Sequence, residues 1–259
     1  MKMVLVQADI KKGEPEKNRE RIFQMMEEAM KLSPQVLVLP ELWNTGYAVQ
    51  PRLTADVQGE PVISSLSVFA RKHNVNIVGG SVADVTGSKL YNRAYIISRQ
   101  GKVVGSYSKI HLFSLNGEHE HFSPGEELSF FQLEDIRCGI MICYDLRFPE
   151  LCRTLSLGGA QIVFVCAQWP RSRIHAWRAL VSARAAENQI FLVAVNRGGR
   201  EGGRSFGGSM AAEPGGNVIA EAGKEEMLLS VEIHPGKVKE VRKEIDYLKD
   251  RKPEIYKLC

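Results

Sequence analysis

Three residues whose side chains could do chemistry together each follow a predicted strand. Cys143 comes directly after the apolar run 136–142, and Glu41 and Lys109 lie just past two other strands. In open α/β folds, ligands bind where strands end at their carboxyl side, and strands that run the same way bring these ends together. A thiolate is the attacking species in cysteine chemistry. A cation that lowers the thiol pKa and a carboxylate that accepts the proton would activate Cys143 as a nucleophile.

Taken singly, each of these residues has an ordinary structural interpretation. Cysteine is among the most frequently buried residue types, and most buried cysteines are inert core residues. A glutamate or lysine beside a strand is usually a solvated loop residue. Strand-end position alone therefore leaves both the catalytic and the structural interpretation open.

Apolar strand-like runs and amphipathic helical segments alternate along the chain, which predicts the α/β class. Predicted strands cover 3–8, 36–39, 75–82 (broken by Gly79–Gly80), 91–98, 103–108, 136–142, 161–167, 190–195, 209–212, 218–220 and 227–233. Predicted helices cover 14–32, 61–73, 148–157 and 175–189, and a last one begins at Pro235; 111–127 and 197–208 are predicted as loops. No composition break or linker divides the chain. We therefore expect one domain over 1–259, with 246–259 as a C-terminal arm.

Composition narrows the possible partners. The chain has 34 basic and 30 acidic residues, a net charge of +4, and they are scattered. This pattern predicts no nucleic-acid surface, because no basic stripe interleaves with aromatic residues. No stretch approaches the roughly 20 apolar residues of a membrane span, and the N-terminus has no signal-peptide pattern. Five cysteines without a CxxC pair favour the reducing cytoplasm.

Three segments resemble the signature blocks of the nitrilase superfamily of carbon–nitrogen hydrolases. They are Pro40–Tyr47, Tyr107–Phe113 and Gly139–Glu150, in the order that the family has them. The resemblance continues through Trp169–Pro170, Ala183–Gln189, Val195–Arg197, Phe206–Ser209, Pro214–Gly216 and Arg251–Tyr256, so it covers essentially the whole chain. It implies a four-layer α-β-β-α sandwich.

The resemblance also implies a role for individual residues. Cys143 would attack an amide carbon and form a thioester, while Glu41 would take the thiol proton, protonate the departing ammonia and then activate water. Lys109 and the backbone N–H of Tyr144 would stabilise the oxyanion. Many family members carry a second glutamate between the lysine block and the cysteine block. Glu118 is our match for it, from its position five residues before Ser123–Gly125, and Glu120 is the rival.

Within the superfamily, segments 144–150 and 168–173 most resemble the omega-amidase branch. Those enzymes hydrolyse the terminal amide of short keto-acid amides such as 2-oxoglutaramate. Such substrates carry a carboxylate, which an arginine binds well. Arg173 is the candidate for this contact, although it could equally cap or pair on the following helix. Arg147 is expected to be structural, pairing near Glu150.

Four aromatic residues are the further candidates for substrate contact, although an aromatic at such a position is often core. They are Tyr47, Phe113, Tyr144 and Trp169. Alternative activities are an amidase acting on deaminated glutathione and an N-carbamoyl amino-acid hydrolase. A non-catalytic binding protein with the same fold is the remaining alternative, and the presence of all three catalytic residue types favours the enzyme.

Hydrolysis needs only the thiol, the carboxylate and the ammonium, so we expect no cofactor and no metal. His119 and His121 lack the spacing of a metal site. The expected partner is a small-molecule amide, with no nucleic acid and no membrane. The resemblance further implies a homodimer or higher homo-oligomer, in which the C-terminal arm would cross to the partner.

Overall fold

The computed structural model describes residues 1–256, so the last three residues of the predicted arm, including Cys259, lie outside it. The strands are β1 (Lys2–Gln7), β2 (Val36–Val38), β3 (Asp56–Val57), β4 (Asn76–Thr86), β5 (Lys89–Ile97), β6 (Val103–Ser108), β7 (Phe130–Leu133), β8 (Ile136–Ile142), β9 (Ile162–Ala167), β10 (Phe191–Asn196), β11 (Arg200–Glu201), β12 (Arg204–Ser205), β13 (Met210–Ala212), β14 (Val218–Glu221) and β15 (Met227–Glu232). The helices are α1 (Pro15–Met30), α2 (Val62–His73), α3 (Glu118–His121), α4 (Pro149–Leu157), α5 (Ile174–Asn188) and α6 (Lys237–Glu244). Short 3-10 helices cover Pro51–Leu53, Ser114–Asn116, Cys143–Arg147 and Arg171–Arg173.

Two mixed β-sheets form the centre of the molecule. The first has the order β15-β1-β2-β4-β5-β6, with β3 against β4, and its β1, β2 and β4 are parallel. The second has the order β14-β13-β10-β9-β8-β7, with parallel β8, β9 and β10. The parallel strands read as continuous apolar runs because both of their faces are buried.

The helices cover the outer faces of the two sheets. Alternate residues of β1 divide between two apolar clusters. Val4 and Val6 pack towards α1 and α2, whereas Met3 and Leu5 face the second sheet. Residues of α4 and α5, such as Trp177, join the core on the far side of the second sheet. The layers therefore follow the order α-β-β-α, which confirms the predicted sandwich.

The predicted break of the third long strand at Gly79–Gly80 is wrong. Strand β4 continues to Thr86, and the glycines lie in an irregularity of its pairing with β5. Gly80 has φ +63°, and a Cβ on it would lie 2.1 Å from the Pro40 carbonyl oxygen. Only glycine allows this approach. The bulge therefore lets the loop that carries Glu41 pack directly on β4.

The two segments predicted as loops contain short elements. Residues 111–127 include a 3-10 turn and α3, and 197–208 include the hairpin β11–β12. Both line the site described below. Among residues 1–256, no helix has the length and apolar character needed to cross a membrane.

Candidate active site

The three predicted strand-end residues meet between the two sheets. β6 runs in the same direction as β2, since β4 is parallel to β2 and two antiparallel pairings separate β6 from β4. This shared direction brings Lys109 Nζ to 2.8 Å from Glu41 Oε1. Cys143 follows β8 of the second sheet, and the charges of Glu41 and Lys109 both shift the pKa of its thiol.

Cys143 directly follows β8 and begins a 3-10 helix, in a strained turn. Its φ is +48°, a left-handed conformation that non-glycine residues rarely adopt. The buried carboxylate of Asp145 holds this turn. Its Oδ2 accepts the backbone N–H of Ile142 at 2.9 Å and the hydroxyl of Tyr107 at 2.7 Å. Its Oδ1 accepts the backbone N–H of His111 at 3.0 Å.

Glu41 is fully buried and accepts four hydrogen bonds. Its Oε1 accepts the Tyr47 hydroxyl at 2.8 Å, Asn92 Nδ2 at 2.9 Å and Lys109 Nζ at 2.8 Å. Its Oε2 accepts the backbone N–H of Gln168 at 2.8 Å. This number of donors holds the carboxylate in one orientation.

Lys109 is fully buried between two carboxylates. Besides Glu41, its Nζ contacts both carboxylate oxygens of Glu118, at 3.0 and 2.8 Å, and the Tyr47 hydroxyl at 3.2 Å. Burial by itself lowers the pKa of Lys109, but the neighbouring anions outweigh it and hold this pKa well above its ordinary value. Lys109 is therefore an ammonium ion. The structure places Glu118 in this cluster, whereas Glu120 is exposed.

The thiol of Cys143 has a pKa well above its ordinary value. Burial is the largest cause, and the Glu41 carboxylate raises the pKa further. The Lys109 ammonium lowers the thiol pKa, as expected, but does not compensate for the other two effects. The resting side chain is therefore a protonated thiol at neutral pH, and its proton needs an acceptor.

Sequence reasoning missed two polar residues of the site. Asn92 lies in β5, and its Nδ2 bridges Glu41 Oε1 and Glu118 Oε1 at 2.9 and 3.0 Å. Gln168 follows β9 and binds Glu41 through its backbone N–H. Gln168 has the same signal that identified Cys143, namely a polar residue just past a buried strand. Asn92 offers only the weaker signal of a polar side chain within a strand.

A cavity of about 760 Å³ opens over Cys143. All five predicted substrate-binding residues line it, namely Tyr47, Phe113, Tyr144, Trp169 and Arg173. Its other lining residues are Lys12, Leu115, Asn116, Arg147, Gln168, Pro170, Ser172, Glu201, Gly202, Arg204 and Phe206. Glu41, Lys109 and Glu118 lie behind this wall, with no exposed side-chain surface.

The prediction that Arg147 pairs near Glu150 is wrong. Arg147 lines the cavity, and its guanidinium carbon lies 4.7 Å from the centre of the Trp169 ring. The aromatic face, which attracts a cation, replaces the carboxylate partner. Arg173 precedes α5 without a side-chain cap, and its guanidinium carbon lies 5.4 Å from the centre of the Phe113 ring. Both arginines therefore line the cavity, and each guanidinium packs against the ring of an aromatic residue.

We expect Lys109→Met to destabilise the fold. It would leave Glu41 and Glu118 as buried, uncompensated charges, a change that typically costs about 3–5 kcal/mol. Adding Glu118→Gln to Lys109→Met should recover part of this loss. Urea unfolding at pH 7 measures both effects. Equal stability of Lys109→Met and the wild type would contradict the buried cluster.

The stabilisation by Lys109 should also have a defined pH range. A group whose pKa is raised on folding contributes its full stability below the unfolded-state value, ordinarily 10.5 for lysine. This contribution disappears only as the pH rises through the folded-state value. Across neutral pH the Lys109→Met deficit should therefore be present in full, and it should decrease only in strongly alkaline solution, where Lys109 itself loses its proton.

Comparisons with known proteins agree with this geometry. The model of the carbon–nitrogen hydrolase family matches residues 3–243. A 2-oxoglutaramate amidase of Bacillus subtilis (strain 168) is 40% identical over 97% of this chain and 97% of its own length. An omega-amidase of Xenopus tropicalis is 30% identical over 92% of this chain and 91% of its own.

A solved structure of similar fold is a variant of the amidase from Nesterenkonia sp. AN1 in complex with butyramide. It has a TM-score of 0.85 and 29% identity, and the match covers 99% of this chain and 95% of that one. The family match extends over nearly the whole chain and includes all three strand-end residues. The chain therefore belongs to the carbon–nitrogen hydrolase family, and it is an enzyme of the nitrilase superfamily.

Proposed function

We propose that this enzyme is a cysteine-dependent amidase that removes ammonia from a small amide bearing a carboxylate, with 2-oxoglutaramate as the representative substrate. The observation that carries the proposal is the buried Glu41–Lys109 pair beside Cys143, at the base of a cavity with three arginines on its walls. The similarity to a 2-oxoglutaramate amidase supports the same substrate class.

In the first step, the sulfur of Cys143 attacks the amide carbon while the thiol proton passes to Glu41. The raised pKa of the thiol supports this coupling, because a protonated thiol cannot attack without losing its proton. The C–N bond of the tetrahedral intermediate then breaks as Glu41 returns the proton to nitrogen. Ammonia leaves and a thioester remains on Cys143.

The negative oxygen of the intermediate needs donors that are already in position. The backbone N–H of Tyr144 lies in the first turn of a 3-10 helix, where N–H groups have no partner within the helix. Lys109 Nζ is occupied by Glu41, Glu118 and Tyr47 in the resting state. Protonation of Glu41 weakens its bond to Lys109, so the ammonium becomes available to the oxyanion when the charge forms.

In the second step, Glu41 accepts a proton from water, which attacks the thioester and releases the carboxylic acid. This step regenerates the thiol as the proton returns from Glu41 to sulfur. One carboxylate therefore acts as base, acid and base again. A role of this kind requires a fixed position, which the four hydrogen bonds to Glu41 provide.

The cationic walls of the cavity support a substrate with a carboxylate. Lys12, Arg147, Arg173 and Arg204 line it, and Glu201 is the acidic residue among the lining side chains. The carboxylate of Glu201 is bound to Arg197 at 2.7 Å, which leaves the positive groups to attract an anion. A planar guanidinium binds a carboxylate through two parallel hydrogen bonds.

We expect Arg147→Met and Arg173→Met each to raise KM for 2-oxoglutaramate by about 10- to 150-fold, the value of a hydrogen bond to a charged group. KM for butyramide, a neutral amide, should change little. Arg171→Met is the matched control, because Arg171 is a neighbouring arginine that does not line the cavity. An equal rise of KM for both substrates would contradict carboxylate recognition.

Ammonia release from a panel of amides tests the substrate class directly. The cavity volume of about 760 Å³ lies in the upper part of the range of sites for drug-sized ligands, about 300–1,000 Å³, so deaminated glutathione belongs in the panel. An N-carbamoyl amino acid is the third compound. Turnover of the carbamoyl compound with 2-oxoglutaramate inert would overturn the proposed substrate.

We further propose that the enzyme is a cytoplasmic homo-oligomer. The free thiols at 138, 143, 152 and 166 support a reducing compartment. The exposed side chains of Ile245, Ile255 and Tyr256 on the C-terminal segment support its contact with a second chain. The single domain and the arm 246–259 stay predictions.

A further inference from the structure

Arg197 is a fully buried arginine that follows β10 at the edge of the site. An arginine side chain has five N–H groups, and protein acceptors surround this guanidinium on every side. The acceptors are Gln168 Oε1 at 3.3 Å and Glu201 Oε2 at 2.7 Å for Nη1, Asp9 Oδ1 at 3.1 Å and the Ile10 carbonyl for Nη2, and the Gly198 carbonyl at 3.3 Å for Nε. Because these groups are occupied, Arg197 is poorly suited to bind substrate itself.

Gln168 connects Arg197 to Glu41. The side-chain oxygen of Gln168 faces the guanidinium, so its Nε2 faces the Glu41 carbonyl oxygen, at 2.8 Å. Rotating the Gln168 amide by 180° would place its oxygen against the Glu41 carbonyl oxygen and its NH₂ group against the Arg197 guanidinium. Both pairs would be repulsive. The backbone N–H of Gln168 donates to Glu41 Oε2 at 2.8 Å. Gln168 therefore holds Glu41 at both its main chain and its carboxylate, and Arg197 determines the orientation of Gln168.

The hairpin β11–β12 depends on the same arginine. It has only two residue pairs, Arg200 with Ser205 and Glu201 with Arg204. A two-stranded hairpin of this size is marginally stable by itself. The ion pair between Arg197 and Glu201 anchors one strand. The ring of Phe206, which follows the other strand, lies 4.5 Å from the guanidinium carbon.

We propose that Arg197 is a positioning residue that couples hairpin β11–β12, one wall of the cavity, to the Glu41 carboxylate through Gln168. The inference rests on the proposed role of Glu41 as proton acceptor. When a substrate contacts the hairpin, a change in the hairpin's position alters the position of Glu41 through Glu201, Arg197 and Gln168. Arg197 itself does not touch the substrate. The coupling acts on the rate of the chemical steps more than on binding.

The variant Arg197→Met tests this role with two substrates. We expect kcat for amide hydrolysis to fall by about 10- to 100-fold, the effect of a small displacement of a catalytic group, with KM nearly unchanged. With p-nitrophenyl acetate, the initial burst of nitrophenolate counts the reactive thiols, and the later steady rate reports thioester hydrolysis. The size of the burst should be unchanged, while the steady rate should fall by the same factor as kcat for amide hydrolysis. Arg178→Met, a partly exposed arginine of α5, is the matched control and should match the wild type.

A double-mutant cycle identifies the route of the effect. If Arg197 acts through Gln168, Arg197→Met should change little in a Gln168→Met background, whereas independent effects would multiply. Arg197→Lys keeps a donor for Gln168 and should recover part of the rate. If Arg197→Met does not fold, Arg197→Lys takes its place in the cycle.

Three outcomes would overturn the inference. They are a steady rate equal to that of Arg178→Met, a rise of KM alone, and independent losses in the cycle. Failure of the wild type to hydrolyse any amide would instead overturn the proposed function. In that case the hydrolysis of the acetyl thioester still decides the role of Arg197.

Discussion

Cys143→Ala should release no ammonia above the uncatalysed rate and should keep the wild-type fold. Loss of the nucleophile removes the thioester route entirely, and in other hydrolases losses of this kind reach about 10⁶-fold in kcat. The side chain lies at the base of the cavity, so removing one sulfur atom creates space that solvent can enter. Ammonia release and circular dichroism measure the two expectations.

Alkylation by iodoacetamide distinguishes this thiol from the other buried cysteines. Both thiols have raised pKa values, but Cys143 is 9% exposed, faces the cavity and has Glu41 beside it to take its proton. Cys152 is fully buried, and burial raises its pKa to about 12. Among the four cysteines of residues 1–256, only Cys143 should react fast in the wild type and in Cys152→Ala, and this reaction should be absent from Cys143→Ala. Significant turnover by pure Cys143→Ala would refute its assignment as the nucleophile.

Glu41→Gln should lower kcat by about 10²- to 10⁴-fold, the usual contribution of a general acid–base group. Glutamine keeps the shape of the side chain, and its oxygen can still accept from Lys109 and Tyr47. Its NH₂ group then faces the Gln168 N–H. This NH₂ group can accept neither the proton of the Cys143 thiol nor the proton of the attacking water. Steady-state kinetics measure the loss, and Glu120→Gln, an exposed glutamate, is the control.

The residual activity of Glu41→Gln should rise with pH. Without the base, the rate follows the fraction of thiolate, which increases as the pH approaches the thiol pKa. The Glu41 carboxylate raises that pKa and Lys109 lowers it, so the variant should form thiolate at lower pH than the wild type. Alkylation rates measured against pH report the shift directly. A pH-independent residual rate would contradict Glu41 as the acceptor of the thiol proton.

The positions of Glu41, Lys109 and Cys143 could be predicted because each signal is local. Glu41 and Cys143 follow buried parallel strands, which read as apolar runs, and Lys109 follows the edge strand β6. A polar residue directly past such a strand lies at the edge of the sheet where sites form. The aromatic residues and Arg173 of the cavity could also be predicted from the sequence, because the resemblance to the family placed their segments beside these strand ends. Gln168 had the same local signal.

The sequence by itself determined most of the strands and helices, the family and the three residues at strand ends, because hydrophobic periodicity and short motifs are properties of neighbouring residues. Only the tertiary structure decided what holds those residues. Glu41 and Gln168 are 127 positions apart, and no pattern in either segment specifies their pairing. The same holds for Arg147, which packs on Trp169 rather than near Glu150, and for Arg197, whose acceptors come from distant segments. Packing of the two sheets brings these side chains together, and burial then makes their hydrogen bonds and charges strong.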